Sequence, residues 1–317
     1  MFFITAGLMI AYGFQYASPE SKLSLKDMLN KPLFAESSHV ATVAYLSRNG
    51  EVPEPTLYAE AALVWDSASS TPLYEKEKGT RRPIASITKF ITGAIVLDEV
   101  GIADLVTVSA RAVGENGDAG GLHEGELLSV EALMAAMLVE SSNDAAFALA
   151  EYVGVLRSPD ASRDPVDVFV DRMNAKIASW NLHNTYVEDP AGLKDQSSYS
   201  TAEDLAAILG HLRSEKQYEP VWRISQRSSA SLPSADGLIV HTFHSTNTLL
   251  DERAGIIGGK TGYTDRAGES MVLVAMSPDE TRELYYIVLG SADRFGDMRE
   301  LINWTTSAYV WVRPLSR

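Results

Sequence analysis

Ser86-Ile87-Thr88-Lys89 sets a hydroxyl nucleophile and an amine base three residues apart at the start of an apolar-periodic segment. On a helix such residues share one face with Cβ atoms roughly 5–6 Å apart, so the Lys89 amine can swing to the Ser86 hydroxyl. A serine hydroxyl alone is a poor nucleophile, and a neighbouring base that takes its proton fits it for acyl transfer without a histidine. The same spacing also suits an N-cap serine followed by a solvated lysine. The residues after Lys89 argue for burial: Phe90-Ile91-Thr92-Gly93-Ala94-Ile95-Val96-Leu97 is apolar almost all round, and a lysine in the first turn of a buried helix is costly to desolvate.

Two more segments carry polar groups that must be read with this pair. Ser141-Ser142-Asn143 lies between a helix-like run from Val130 to Val139 and another from Asp144 to Val153, on a short connection. Lys260-Thr261-Gly262 follows Ile256-Ile257-Gly258-Gly259 and precedes Tyr263-Thr264, a β-like stretch thinned by glycine.

The elements that would position these groups can be placed from periodicity and turn chemistry. Leu57 to Trp65, a turn-rich cluster from Asp66 to Thr71, and Pro72-Leu73-Tyr74 read as a hairpin feeding the Ser86 helix. From Lys89 to about Leu212 helical patterns dominate. Asp164-Pro165 is an N-cap with proline at the first helical position, followed by an apolar stripe of Phe169, Val170, Met173 and Ile177. Ser200-x-x-Glu203 has capping-box spacing ahead of Leu205, Ile208, Leu209 and Leu212. Strands return at Leu238–Phe243, Ser270–Met276 and Leu284–Gly290, and a helix from about Asp297 to Val310 closes the chain. The expected class is α+β: an antiparallel sheet flanked by helices (about 41–85 and 238–317) beside an all-helical lobe (about 90–213), with the cleft between them.

Ser-x-x-Lys, Ser-x-Asn and Lys-Thr-Gly, in this order, resemble the signature of the penicillin-recognising serine enzymes, the penicillin-binding proteins and serine β-lactamases. Around these boxes, Arg81-Arg82-Pro83-Ile84-Ala85, Leu122-His123-Glu124-Gly125-Glu126, Pro190-Ala191-Gly192-Leu193, Tyr199-Ser200-Thr201-Ala202-Glu203-Asp204 and Gly258-Gly259 before Lys260 are similar to the low-molecular-mass D-alanyl-D-alanine carboxypeptidases, peptidase family S11, from about Leu57 to the C-terminus. That resemblance implies a β-lactamase/transpeptidase-like fold and removal of the terminal D-Ala from peptidoglycan pentapeptide stems, with β-lactams as covalent inhibitors. It assigns Ser86, Lys89 and Ser141 to catalysis and Asn143, Lys260, Thr261, Gly262 and Tyr263 to substrate binding.

In this reading Ser86 becomes acylated and Lys89 accepts its proton. An ordinary lysine pKa near 10.4 must then be depressed by desolvation and a nearby cation, for which Lys260 is the candidate. Ser141 relays a proton to the departing amine. Asn143 holds the substrate amide, Lys260 and Thr261 bind its terminal carboxylate, and Gly262 leaves no side chain to obstruct substrate lying along the strand. The oxyanion is assigned to the backbone N–H groups of Ser86 and Tyr263. Arg294 adds charge to the carboxylate wall or is a solvated turn arginine. Glu188-Asp189-Pro190 departs from the family, which commonly has asparagine before the proline, and either carboxylate could hydrolyse an acyl-enzyme as a glutamate does in class A β-lactamases. A serine β-lactamase is therefore the alternative, and a non-catalytic cell-wall peptide-binding relative the second.

Composition bounds the remaining possibilities. The 317 residues, 45% hydrophobic and 22% charged, suit one large or two modest domains with a real core. A net charge of −15 and a pI near 4.8 argue against nucleic acid and against a basic membrane-docking patch. With no cysteine there is no disulfide, thiolate catalysis or thiolate metal site. Gly114 to Gly125 reads as an ordinary loop and not a phosphate cradle. His241 and His244, three apart in a strand, face opposite sides and make a poor metal pair, so neither metal nor cofactor is expected. Met1 to Ala17 carries no charged side chain. We read residues 1–18 as an export signal that holds the protein to the cytoplasmic membrane if uncut, a buried helix being the alternative; residues 19–40 then form a tether and 41–317 an extracytoplasmic catalytic domain.

Overall fold

The computed structural model describes residues 46–311 except 116, 118, 119, 159 and 161. The expected anchor and tether lie outside the described residues. A strand covered on both faces needs apolar residues along its whole length, and Ala61-Ala62-Leu63-Val64, Met271 to Ala275 and Leu284 to Leu289 have that composition. They form the centre of a five-stranded antiparallel sheet built from β1 (Ala61–Asp66), β2 (Thr71–Lys76), β7 (Ile256–Thr264), β8 (Gly268–Met276) and β9 (Glu283–Ser291), in the order β2-β1-β9-β8-β7.

One face packs Ala62, Val64, Met271, Leu273, Tyr286 and Val288 under the closing helix, through Met298, Leu301 and Trp304. That helix, α7 (Arg294–Ala308), begins three residues before the expected Asp297, because the Asp293 carboxylate accepts from Gly296 N and caps it there. The other face contributes Leu63, Val272, Val274 and Ile287 to a larger core shared with the helical lobe. Register places Lys260 opposite Val272, Val272 opposite Ile287 and Ile287 opposite Leu63. Directly opposed residues share a face, so Lys260 points into the lobe from β7, the sheet's edge.

The lobe consists of α1 (Lys89–Glu99), α2 (Val130–Ala135), α3 (Asn143–Arg157), α4 (Pro165–Ser179), α5 (Ala202–Ser214) and α6 (Glu219–Ser225). As its composition predicts, α1 is buried from Lys89 to Val96. Asp164 caps α4 as expected, accepting from Val166 N. The capping box at Ser200 is displaced by one residue: Thr201 caps α5 by accepting from Asp204 N, while Ser200 Oγ bonds Thr185 and its backbone bridges Arg82. A short ribbon, β3 (Leu105–Thr107) with β4 (Leu127–Ser129), accompanies the lobe.

A second correction concerns Leu238–Phe243, expected in the main sheet. The strand there is β6 (Val240–His244), which pairs with β5 (Ser229–Pro233) as a separate hairpin. Ala230 and Phe243 point from it into the lobe core, so its apolar alternation serves the lobe and not the sheet. No helix among the described residues is long and apolar enough to cross a membrane.

Candidate active site

Ser86 does not sit on α1. It lies on a 3₁₀ turn, Ala85–Thr88, that runs into α1, and Ala85 enters it at φ +47°. With three residues per turn, side chains at i and i+3 eclipse, which brings Ser86 and Lys89 closer than an α-helix would. Lys89 Nζ donates to Ser86 Oγ at 2.7 Å, to Asn143 Oδ1 at 2.7 Å and to Ala191 O at 3.2 Å, and the side chain is fully buried.

Ser141 is placed by an irregular helix end. After α2 the chain winds one π-type turn, Ala136–Glu140, and leaves it with Ser141 at φ +72°. A π turn followed by a left-handed non-glycine residue is a local cost characteristic of functional positions. Ser142 then caps α3 by accepting from Ala145 N, and Asn143 follows as the first helical residue. Thus Ser141 faces β7, where Lys260 Nζ donates to its Oγ at 2.8 Å, and Asn143 faces α1. Two lysine–serine pairs, one from each side, meet at this junction.

Ser86, Ser141, Asn143, Thr261, Tyr263 and Arg294 line one cleft of about 280 Å³. Lys89 and Lys260 are not among its lining residues and stand behind it. Burial, with the Lys89 and Arg294 charges nearby, holds the Lys260 ammonium well below its ordinary range. The cation that the sequence reading places at Lys260 thus sits where burial opposes its charge. Arg294 opens α7, donates to Gly262 O at 2.8 Å and keeps its side chain mostly covered, so it is no solvated turn arginine. Burial lowers its pKa as well, but a guanidinium stays protonated in proteins.

Gly262 lines the cleft and has a second role beyond the one the sequence reading gave it. A Cβ built there would stand 2.8 Å from Ile84 O and 3.1 Å from Ser86 N, so β7 rests directly on the nucleophile's turn. Absence of a side chain is demanded by that backbone contact. Tyr263 lines the cleft with its side chain 59% exposed and its hydroxyl donating to Asp265 at 3.1 Å. Thr246, unremarked in the sequence, bonds Thr261 hydroxyl to hydroxyl at 2.6 Å and lines the cleft, as does Gly117 from the loop read as ordinary. Neither lies in a motif, so neither had a local signal.

The Glu188-Asp189 expectation changes most. Asp189 is 1% exposed and accepts from four backbone N–H groups, those of Ala191, Gly192, Leu193 and Lys194, at 2.6 to 3.0 Å. Three of these bonds fall on Oδ1 and one on Oδ2, all from its own loop. Glu188 accepts from Ser197 and borders a separate depression with Arg163, Asp171 and Lys194. Neither carboxylate faces the Ser86 cleft among its lining residues.

A family model described as D-alanyl-D-alanine carboxypeptidase, Peptidase S11, matches residues 48–293. The chain is 31% identical over 227 residues to the D-alanyl-D-alanine carboxypeptidase DacB2 of Mycobacterium tuberculosis, covering 70% of this chain and 72% of that one. It is 27% identical to the D-alanyl-D-alanine carboxypeptidase of Streptomyces sp. strain K15, covering 73% and 80%. The crystal structure of the Streptomyces K15 DD-transpeptidase superposes with a TM-score of 0.73 at 26% identity, covering 81% of this chain and all of that one.

Proposed function

The chain belongs to the D-alanyl-D-alanine carboxypeptidases of peptidase family S11 and is a serine-type hydrolase, and from that premise we propose how its own residues divide the reaction. Ser86 Oγ attacks the carbonyl carbon of the penultimate D-Ala and forms the acyl-enzyme. Lys89 in its uncharged form, hydrogen-bonded to that hydroxyl, takes the proton. A charged Lys89 is one of the causes that hold Lys260 down, so the two lysines titrate as a pair and Lys260 takes the charge when Lys89 is the base. Developing negative charge on the carbonyl oxygen is met by the N–H groups of Ser86 and Tyr263, an assignment supported by how closely Gly262 rests on the Ser86 turn.

Ser141 hands a proton to the departing D-Ala amine, with Lys260 against its hydroxyl to replenish it. The substrate's terminal carboxylate is met by Thr261 and by Arg294, which line the cleft. An anion there favours the protonated form of Lys260 behind it, so Lys260 becomes charged on binding while Lys89 remains the base. Asn143 gives its carboxamide oxygen to Lys89 and lines the cleft, so it joins the base to the substrate amide.

One observation carries this reading: the 2.7 Å Lys89–Ser86 bond in a cleft that also holds Ser141, Thr261 and Arg294. Engagement of Asp189 with its own loop counts against that carboxylate as the water activator of a class A-type β-lactamase. Peptidoglycan stems lie outside the cytoplasmic membrane, so the enzyme works there, with residues 1–18 as its tie to the membrane. The test is incubation of the enzyme and Ser86→Ala with a D-Ala-D-Ala-terminated peptide and with a fluorescent penicillin. Wild type releases D-alanine and retains the label covalently, and the variant does neither. Label kept by Ser86→Ala would remove Ser86 as the nucleophile, and fast penicillin turnover without D-alanine release would reinstate the β-lactamase.

A further inference from the structure

We propose that Asp189 is the positioning residue of the Ser86–Lys89 pair, acting through the carbonyl of Ala191; the inference rests on Lys89 being the base. Between residues 190 and 194 every backbone N–H that exists points at the Asp189 carboxylate, since Pro190 has none. Converging four consecutive donors on one anion fixes the opposite side of the same peptides. The carbonyls of Pro190 and Ala191 are thereby turned toward α1, where Pro190 O accepts from Thr92 Oγ1 at 2.6 Å and Ala191 O from Lys89 Nζ at 3.2 Å. Those two contacts sit one helical turn apart on α1.

The loop also grips the turn before the nucleophile. Gly192, at φ +82°, lies so near Ala85 that a Cβ would stand 2.0 Å from its carbonyl oxygen. One carboxylate thus sets the loop that touches Lys89 on one side and the Ser86 turn on the other. Asparagine at this position could not make all four bonds. In the aspartate Oδ1 accepts from Ala191, Gly192 and Leu193 and Oδ2 from Lys194, so an asparagine that keeps its oxygen toward the first three turns its NH₂ against the Lys194 N–H.

The experiment uses Asp189→Asn in the full chain and follows penicillin acylation and peptide hydrolysis across pH. Loosening the loop removes an acceptor that favours charged Lys89, and the substitution also deletes a nearby negative charge. Expected are an acylation rate down about 10- to 100-fold, in the range that misplacement of a reacting group produces, a KM within about twofold of wild type, and the acid limb of the rate profile displaced to lower pH. A rate scaled by one factor at every pH, with its limb unmoved, would mean that Asp189 only stabilises the loop and would overturn the proposal. If Asp189→Asn does not fold, amide exchange in wild type decides: protection of residues 191–194 equal to that of α1 supports the clamp, and free-loop exchange overturns it. A wild type that neither hydrolyses peptide nor takes up label would instead unseat the function itself, which Ser86→Ala distinguishes.

Discussion

Substitution of Gly262 by alanine separates two explanations of why a glycine stands beside the nucleophile. If the glycine serves the substrate, an added methyl obstructs binding and KM rises with kcat little changed. The structure gives another answer. The methyl carbon would lie 2.8 Å from Ile84 O and 3.1 Å from Ser86 N, both backbone atoms that cannot swing aside. Relaxing to a contact of about 3.5 Å moves β7 and the Ser86 turn apart by about 0.7 Å. That displacement opens the pair of N–H groups, on Ser86 and Tyr263, that would hold the oxyanion. Complete loss of one such donor costs about 10²–10³ in rate, and a 1 Å misplacement about 10². We therefore expect acylation by penicillin to fall about 10- to 100-fold, equivalent to about 1.4–2.7 kcal/mol. Overpacking of this kind costs about 1–3 kcal/mol of stability, or a fall of about 2–12 °C in Tm for a domain of this size, so the protein remains folded at 25 °C. Stopped-flow acylation, peptide kcat and KM, and a thermal melt settle it. A Gly262→Ala enzyme with wild-type kcat and raised KM would restore the substrate explanation and refute the contact argument.

Charge distribution in the cleft supplies two further predictions. Lys260 is held below its ordinary pKa by burial and neighbouring cations, so between its folded value and about 10.4 the unfolded chain binds the extra proton and stability must rise with pH. Lys260→Met removes that slope, and the Tm of wild type minus that of the variant should grow as pH rises toward about 10; a flat or falling difference is incompatible with a depressed lysine. Arg294→Leu should raise KM about 10- to 100-fold for a peptide with a free terminal carboxylate, the worth of a charge-assisted bond, and leave its amidated counterpart unaffected. Equal loss on both peptides would remove Arg294 from carboxylate recognition.

What could be read from the chain alone depended on whether the determinant was local. Apolar runs such as Phe90–Leu97 and Ile287–Leu289 declare burial by composition, and Asp164-Pro165 declares a helix start by conformational chemistry that needs no tertiary partner. The hydroxyls of Ser200 and Thr201 show the limit. Both are competent caps, and the choice of Thr201 was made by Thr185 and Arg82, which claim Ser200 from elsewhere in the chain. Helix α6, Glu219–Ser225, is too short for periodicity to register. The strand from Val240 was legible as a strand, but its partner at Ser229–Pro233 was not, and without the partner its sheet could not be assigned.

The site shows the same division at the level of chemistry. Residue types and spacing identified Ser86, Lys89, Ser141, Asn143 and the 260–263 strand, and the fold brings them to one place. What spacing could not convey is how charge and space are shared there. A lysine on the lobe-facing side of an edge strand is buried by the lobe, so Lys260 loses solvent that would favour its charged form, and Arg294 joins it as a cation that lines the cleft itself. Likewise, Asp189 looked like a candidate base because a carboxylate in a loop near a nucleophile usually has lone pairs to give. Here four N–H groups have taken them, which leaves the acyl-enzyme without that carboxylate as a water activator and gives the loop its hold on Lys89. Acylation and loop rigidity are therefore linked through one side chain, and a change at residue 189 meant to speed deacylation should first slow the formation of the acyl-enzyme it was meant to clear.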